Sequence, residues 1–202
     1  MFEIYYKKND NNQLFSKLKN MESNITNLQN YVPIYKRFFS LNNVNYNLIN
    51  LNHKFSIIDI KKKHNYNNYT VLLKEEDDNG KEKFSTKLSF FKYSPIIDSV
   101  KYVSGVYNKK ERMIELPKLN NNNCFKKISD FNNSAYIDSF FCYLSSQLLN
   151  KHGFIHGIDF YGSFLGIKKE FYCEIEDEVE NLLYNDFFDE NCGKLFELHD
   201  VG

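Results

Sequence analysis

Residues 69–90 read YTVLLKEEDDNGKEKFSTKLSF, and their reading decides the fold. Two segments rich in β-branched and aromatic residues, 69–75 and 84–90, flank an Asp-Asp-Asn-Gly turn. Asn79-Gly80 is the pair that a two-residue type I′ hairpin favours, because both central positions need a positive φ. If these two residues form the turn, facing residues have numbers that sum to 159. Tyr69 then meets Phe90, Val71 meets Leu88 and Leu73 meets Thr86, which makes one face apolar. Lys74, Ser85, Lys87 and Ser89 fall on the other face, the solvent side of an antiparallel ribbon. An earlier strand around Phe55–Ile60 joins the same sheet. The same parity carried past Phe90 puts Lys92 on the apolar face at the strand end, just before Pro95. Such a lysine either carries its ammonium out to water at the sheet edge or aims it into a cleft that receives phosphate or carboxylate.

Two helical stripes frame this sheet. Upstream, Leu14, Leu18, Met21, Ile25, Leu28 and Val32 recur in steps of four and three, which predicts an amphipathic helix over about residues 12–31, ended by Pro33. Its apolar stripe packs on its own domain or on a partner. Residues 33–52 read as a packed irregular connection, with exposed aromatics expected around Phe38 and Phe39. Downstream of the Asn120–Asn123 run, Ile137, Phe140, Phe141, Leu144 and Leu148 predict a helix of about 16–18 residues that opens after Asn132-Asn133-Ser134 and closes at Gly153. Asp138 lies in its first turn, where a carboxylate interacts favourably with the helix N-terminus. Residues 154–167 read as two short strands, 174–180 as an acidic face, and 194–198 as strand-like. The fold class is therefore α+β: an antiparallel sheet packed with a long helix, preceded by an N-terminal amphipathic helix. The organisation expected is an extension over 1–52 and an α+β domain over 53–202.

Lys plus Arg and Asp plus Glu number 26 each, so no global field draws nucleic acid or anionic lipid to the chain. No apolar run is long enough to cross a membrane, and the first ten residues lack a signal peptide's apolar stretch. Cys124, Cys142, Cys173 and Cys192, spaced by 18, 31 and 19 positions, fit neither a paired zinc motif nor a dense disulfide framework, and read as reduced thiols. His152 and His156 are four apart but straddle Gly153, and no third zinc ligand lies near them. Asp159-Phe160-Tyr161-Gly162 looks like a kinase metal-binding element with one residue too many. No histidine-aspartate catalytic loop precedes it. The expectations are no catalytic residue, no metal site, no nucleic acid and no membrane.

Four blocks, YVPIYKRFFSLNNVNYNLINLNHKFSI at 31–57, SFFKYSPIIDSVKYVSG at 89–105, LPKL at 116–119 and NNSAYIDSFFCYLSSQLLNKHGFIHGIDFYGSFLGI at 132–167, carry a resemblance. Together they resemble the N-terminal region of kinase-like proteins of the giant (nucleocytoplasmic large DNA) viruses. The resemblance implies a protein-kinase small lobe in which Lys92 is the strand lysine that positions nucleotide phosphates and Asp138 the helix acid that pairs with it. Here an aspartate stands where a glutamate is usual, and no glycine-rich loop precedes Lys92. It also implies weak binding of ATP with magnesium, a location in the host cytoplasm or the virion, and a C-terminal catalytic lobe or another protein as partner. The alternative is a noncatalytic viral module that binds a protein through the Leu14–Val32 stripe or the Phe38–Phe39 aromatics.

Overall fold

A computed structural model of the chain describes residues 4–22, 24–51, 54–77, 79–107, 113–120 and 123–199. In chain order these form β1 (Tyr6–Lys8), α1 (Asn12–Met21), β2 (Ile25–Gln29), a 3-10 turn (Pro33–Arg37), β3 (Ile49–Leu51), β4 (Phe55–Lys63), β5 (Asn68–Glu76) and β6 (Glu82–Phe90). Then come α2 (Ser99–Val103), α3 (Lys126–Ser129), α4 (Ser134–His152), β7 (Leu165–Lys168), a second 3-10 turn (Glu176–Glu178), α5 (Val179–Leu182) and α6 (Asp186–Asn191). The architecture is mixed α+β with antiparallel sheets. Strands β4, β5 and β6 make a three-stranded meander, while β1 pairs with β3 and β2 with β7 in two small ribbons.

The meander exists because β5 alternates. Tyr69, Val71 and Leu73 are fully buried on one face, and α1 covers them with Leu14 and Leu18. Each buried leucine contributes roughly 1.5–3 kcal/mol. Strand β4 adds Ile57 and Ile60 to the same core, three positions apart. Its register against β5 shifts between Ile57 and Asp59 and again between Ile60 and Lys62, and these bulges turn both isoleucines inward.

The hairpin register differs from expectation by one residue. Facing pairs sum to 158, so Tyr69 faces Ser89, Val71 faces Lys87 and Leu73 faces Ser85. The loop spans 78–80 rather than two residues, and Asp78 lies outside the described residues. Asp77 sets it: its backbone accepts from Gly80 and bonds Lys81, and its side chain accepts from the backbone N–H groups of Asn79 and Lys81. Gly80 supplies the positive φ, +77°, that a three-residue loop requires. A slip of one residue moves a strand's entire apolar set to the other face. Phe84, Leu88 and Phe90 accordingly point outward and are exposed.

The upstream helix is shorter than its stripe. α1 stops at Met21, and Ile25–Gln29 is strand β2, paired antiparallel with β7. The residues of the stripe are internal: Leu14, Leu18, Ile25 and Val32 are all buried. Phe39 packs on the core, whereas Phe38 stacks on Phe140 at 4.4 Å and still keeps 43% of its surface exposed, so of the two surfaces named for a partner only the Leu14–Val32 stripe is turned inward. A second core joins the first 3-10 turn, β3, α4 and β7 through Val32, Tyr35, Ile49, Tyr136, Phe140 and Tyr143. The third cluster, Val103, Leu182 and Phe188, holds α2 against α5 and α6.

Helix α4 spans 19 residues, slightly longer than expected, because it opens at Ser134 itself. The side chain of Asn133 accepts from the Ala135 N–H, and Gly153 closes the helix in the left-handed region at φ +65°. Downstream, a single strand, Leu165–Lys168, replaces the two short strands expected over 154–167. Instead of a strand at 194–198 there is a lone bridge between Cys192 and Phe196. All four cysteines are free thiols. Among the described residues no helix is long and apolar enough to cross a membrane.

Candidate functional site

Two anchors place Lys92. Phe91, directly after β6, exchanges hydrogen bonds with the β4–β5 loop: its N–H donates to the Asn67 carbonyl at 2.7 Å, and its own carbonyl accepts from Asn67 Nδ2 at 2.6 Å. A few residues on, the Ile96 carbonyl accepts from Asn133 Nδ2 at 2.9 Å, which ties the same segment to the α4 N-terminus. Between the anchors, the Lys92 ammonium donates to Asp138 Oδ2 at 2.7 Å, linking residues 46 positions apart. The lysine just past the strand and an acid of the long helix therefore meet, although α4 opens at Ser134 and Asp138, its fifth residue, lies one turn in rather than in the first turn.

This pair is open to water, with side-chain exposures of 61% for Lys92 and 44% for Asp138. The hydrogen bond that Lys92 donates to the Asp138 carboxylate holds the lysine pKa above its ordinary value, against a smaller opposing effect of burial. Exposed ion pairs contribute little to stability, about 0–1 kcal/mol, so folding alone does not require this one. An ammonium so placed can take a phosphate oxygen while keeping its carboxylate contact. The neighbouring loop, 64–67, offers no phosphate cradle. It has no glycine, and the side chain of Asn65 already accepts from the backbone N–H groups of Asn67 and Asn68.

The residues do not supply a protein-built magnesium site: among the described residues no group of three or more His, Cys, Asp or Glu side chains converges. Magnesium is commonly held by one or two carboxylates together with substrate phosphates, so a metal here would arrive with the nucleotide. Asp159, in the kinase-like Asp-Phe-Tyr-Gly run, instead accepts from Asn150 Nδ2 at 2.9 Å, clasping the end of α4.

A second polar constellation was not anticipated from the sequence. Glu22, at the C-terminal end of α1, is only 4% exposed, and its carboxylate accepts from the Tyr69 hydroxyl at 2.5 Å and from the Lys63 ammonium. The Tyr69 hydroxyl also meets that of Tyr93 at 3.0 Å, and the Lys168 ammonium sits over the rings of Tyr93 and Tyr66 at 4.5 and 4.9 Å. Burial would raise the Glu22 pKa, but the bonds from Lys63 and Tyr69 outweigh it and hold the carboxyl below its ordinary value. Burial lowers the pKa of Lys168. An open cleft of about 410 Å³ lies beside the cluster, lined by Met21, Glu22, Asn24, Lys63, Lys169 and Glu170. Lys92 is not among its walls. The one usable signal was Tyr69 on a buried strand face, since a buried tyrosine hydroxyl needs a partner. Nothing in the spacing pointed to Glu22.

Comparison of the chain with protein-family models, with curated proteins and with solved structures finds no match.

Proposed function

We propose that the chain is the N-terminal, small-lobe-like part of a kinase-like protein of giant viruses, and that Lys92, steadied by Asp138, receives the phosphates of a nucleotide such as ATP with its magnesium. The observation that carries this reading is the 2.7 Å ion pair between Lys92 and Asp138. Protein kinases use a lysine on the third strand of the small lobe and an acid on the following helix. Here three antiparallel strands precede Lys92, α4 follows with Asp138, and the loop between the first two of those strands is bonded to the residue before the lysine. The chain carries no histidine-aspartate catalytic loop, so its part is to bind weakly rather than to transfer phosphate.

The test is a thermal-shift titration of the whole chain with magnesium and ATP, with Lys92→Ala as control. A ligand that binds only the folded state raises apparent stability, by about 2.7 kcal/mol at a hundredfold excess over Kd. The expected result is a rise in Tm that Lys92→Ala abolishes without lowering the unliganded Tm by more than about 4 °C. No shift in the folded wild-type chain overturns the nucleotide reading.

A second reading, a noncatalytic module that binds a protein partner, is favoured by one feature of α4. Ile137, Phe141 and Leu148 lie along one flank of the helix and are 47%, 67% and 42% exposed. Large exposed apolar side chains gathered on one helix flank favour an interaction surface. Under this reading Lys92→Ala leaves partner binding intact.

A further inference from the structure

Among the described residues strand β6 is the edge of the three-stranded sheet, hydrogen-bonded to β5 on one side only. Apart from Ser85 and Ser89, all of its residues are exposed. Its outward face carries Phe84, Leu88 and Phe90 at 53%, 67% and 67% exposure. A long edge strand with unpaired backbone groups and large apolar side chains is a template for another strand. We propose that this strand is a second copy's β6, paired antiparallel across a two-fold axis at Thr86, so that two three-stranded sheets become one continuous sheet. This inference is independent of the reading of Lys92 and Asp138.

The strand's own sequence selects both the partner and the register. A two-fold axis perpendicular to the sheet keeps each face on its own side, so facing residues must share parity and their numbers sum to an even value. Centring the axis on Thr86 pairs the strand over its whole length, 82–90. Lys83 then faces Ser89, Phe84 faces Leu88, Ser85 faces Lys87 and Thr86 faces itself. Each lysine meets a small hydroxyl residue, Phe84 and Leu88 meet across the axis on the outward face, and Phe90 faces Glu82 at either end, which is the self-complementarity that a two-fold interface demands. Neighbouring registers fail on charge or length. An axis at Ser85 sets Lys83 against Lys87, one at Lys87 sets that lysine against itself, and like charges directly opposed are destabilising. Axes at Phe84 or Leu88 pair only residues 82–86 or 86–90. The lysines on the inner face, a usual guard against edge pairing, thus act here as a register lock.

Sedimentation velocity of the full chain over a range of concentrations tests the proposal. The expected result is a reversible dimer, weakened at least about tenfold in Thr86→Lys, which sets two ammoniums on the axis. Thr86→Cys should form an 86–86 disulfide under mild oxidation, identified by peptide mass spectrometry, because directly facing Cα atoms lie within disulfide reach. Ser85→Cys, which faces Lys87 in this register, should give no 85–85 bridge. The Thr86→Cys readout stands even if Thr86→Lys fails to fold, a point that far-UV circular dichroism decides. A chain that remains monomeric at every concentration overturns the proposal. So does a dimer that ignores Thr86→Lys and yields no 86–86 bridge, since its interface then lies elsewhere.

Discussion

Glu22 concentrates the electrostatics of the molecule in one side chain. Its carboxylate is almost wholly buried where α1 ends, and a charge removed from water at that depth persists only when paired and hydrogen-bonded. Lys63 and the Tyr69 hydroxyl provide those contacts and pull the pKa below 4.5. An acid whose pKa is depressed by folding adds stability that is fully present above its unfolded value and is lost as the pH falls through the folded one. Glu22→Gln should therefore be about 2 kcal/mol less stable than wild type in urea at pH 7. That gap should narrow as the pH falls from about 5 toward 3. A gap of constant size would mean that the shape of the residue, not its charge, is what matters. Little of this was legible beforehand: 47 positions separate Glu22 from Tyr69, and neither strand alternation nor helical spacing encodes a contact at that range. The pairing of Lys92 with Asp138 is equally distant, and it was anticipated from a resemblance of whole segments rather than from any local pattern.

At the scale of the element, legibility follows the strength of the local signals. Helix α4 could be read almost to the residue because Asn133 and Gly153 punctuate it chemically. The end of α1 could not, because a β-bulge imitates a helical step. The β2–β7 register shifts between Thr26 and Gln29, where Asn27 takes φ +55°, so Ile25 and Leu28, three apart, both turn inward. The hairpin was recognisable from Asn79-Gly80, yet the Asp77 side chain captured two backbone N–H groups and lengthened the loop by one residue. Asn133 shows how much one cap can carry. Its oxygen accepts from Ala135, while its amide nitrogen donates to the carbonyls of Ile96 and Lys127. Aspartate is as good an N-cap as asparagine. Asn133→Asp should nonetheless destabilise the protein by about 2 kcal/mol at neutral pH, because two carbonyls lose their donor and face a carboxylate. Equilibrium urea unfolding would measure it, and a neutral outcome would reduce Asn133 to a helix cap alone.

Over the whole molecule, the first third of the sequence is woven into the rest. Strand β2 pairs with β7 across the length of the chain, and α1 roofs the meander with Leu14 and Leu18. Val32, Tyr35 and Ile49 pack against Tyr136, Phe140 and Tyr143 of α4. Among the described residues the sheet and the long helix, each recognisable in the sequence by itself, share no extensive direct interface, contrary to the expected packing of one on the other. What joins them is this N-terminal material, whose partners no local pattern specifies. Tolerance to truncation follows from the burial and hydrogen bonding of the segment removed rather than from its place in the sequence. A fragment comprising residues 53–202 loses α1, both small ribbons and one side of each major core, and so exposes Tyr69, Val71 and Leu73. Its expected behaviour is retained far-UV dichroism from α4 and the meander, loss of the near-UV signal, dye binding, and no cooperative thermal transition. The intact chain should unfold in one cooperative step. A fragment that keeps a sharp transition and a native near-UV spectrum would instead make residues 53–202 an autonomous domain, with the first 52 residues an accessory layer upon it.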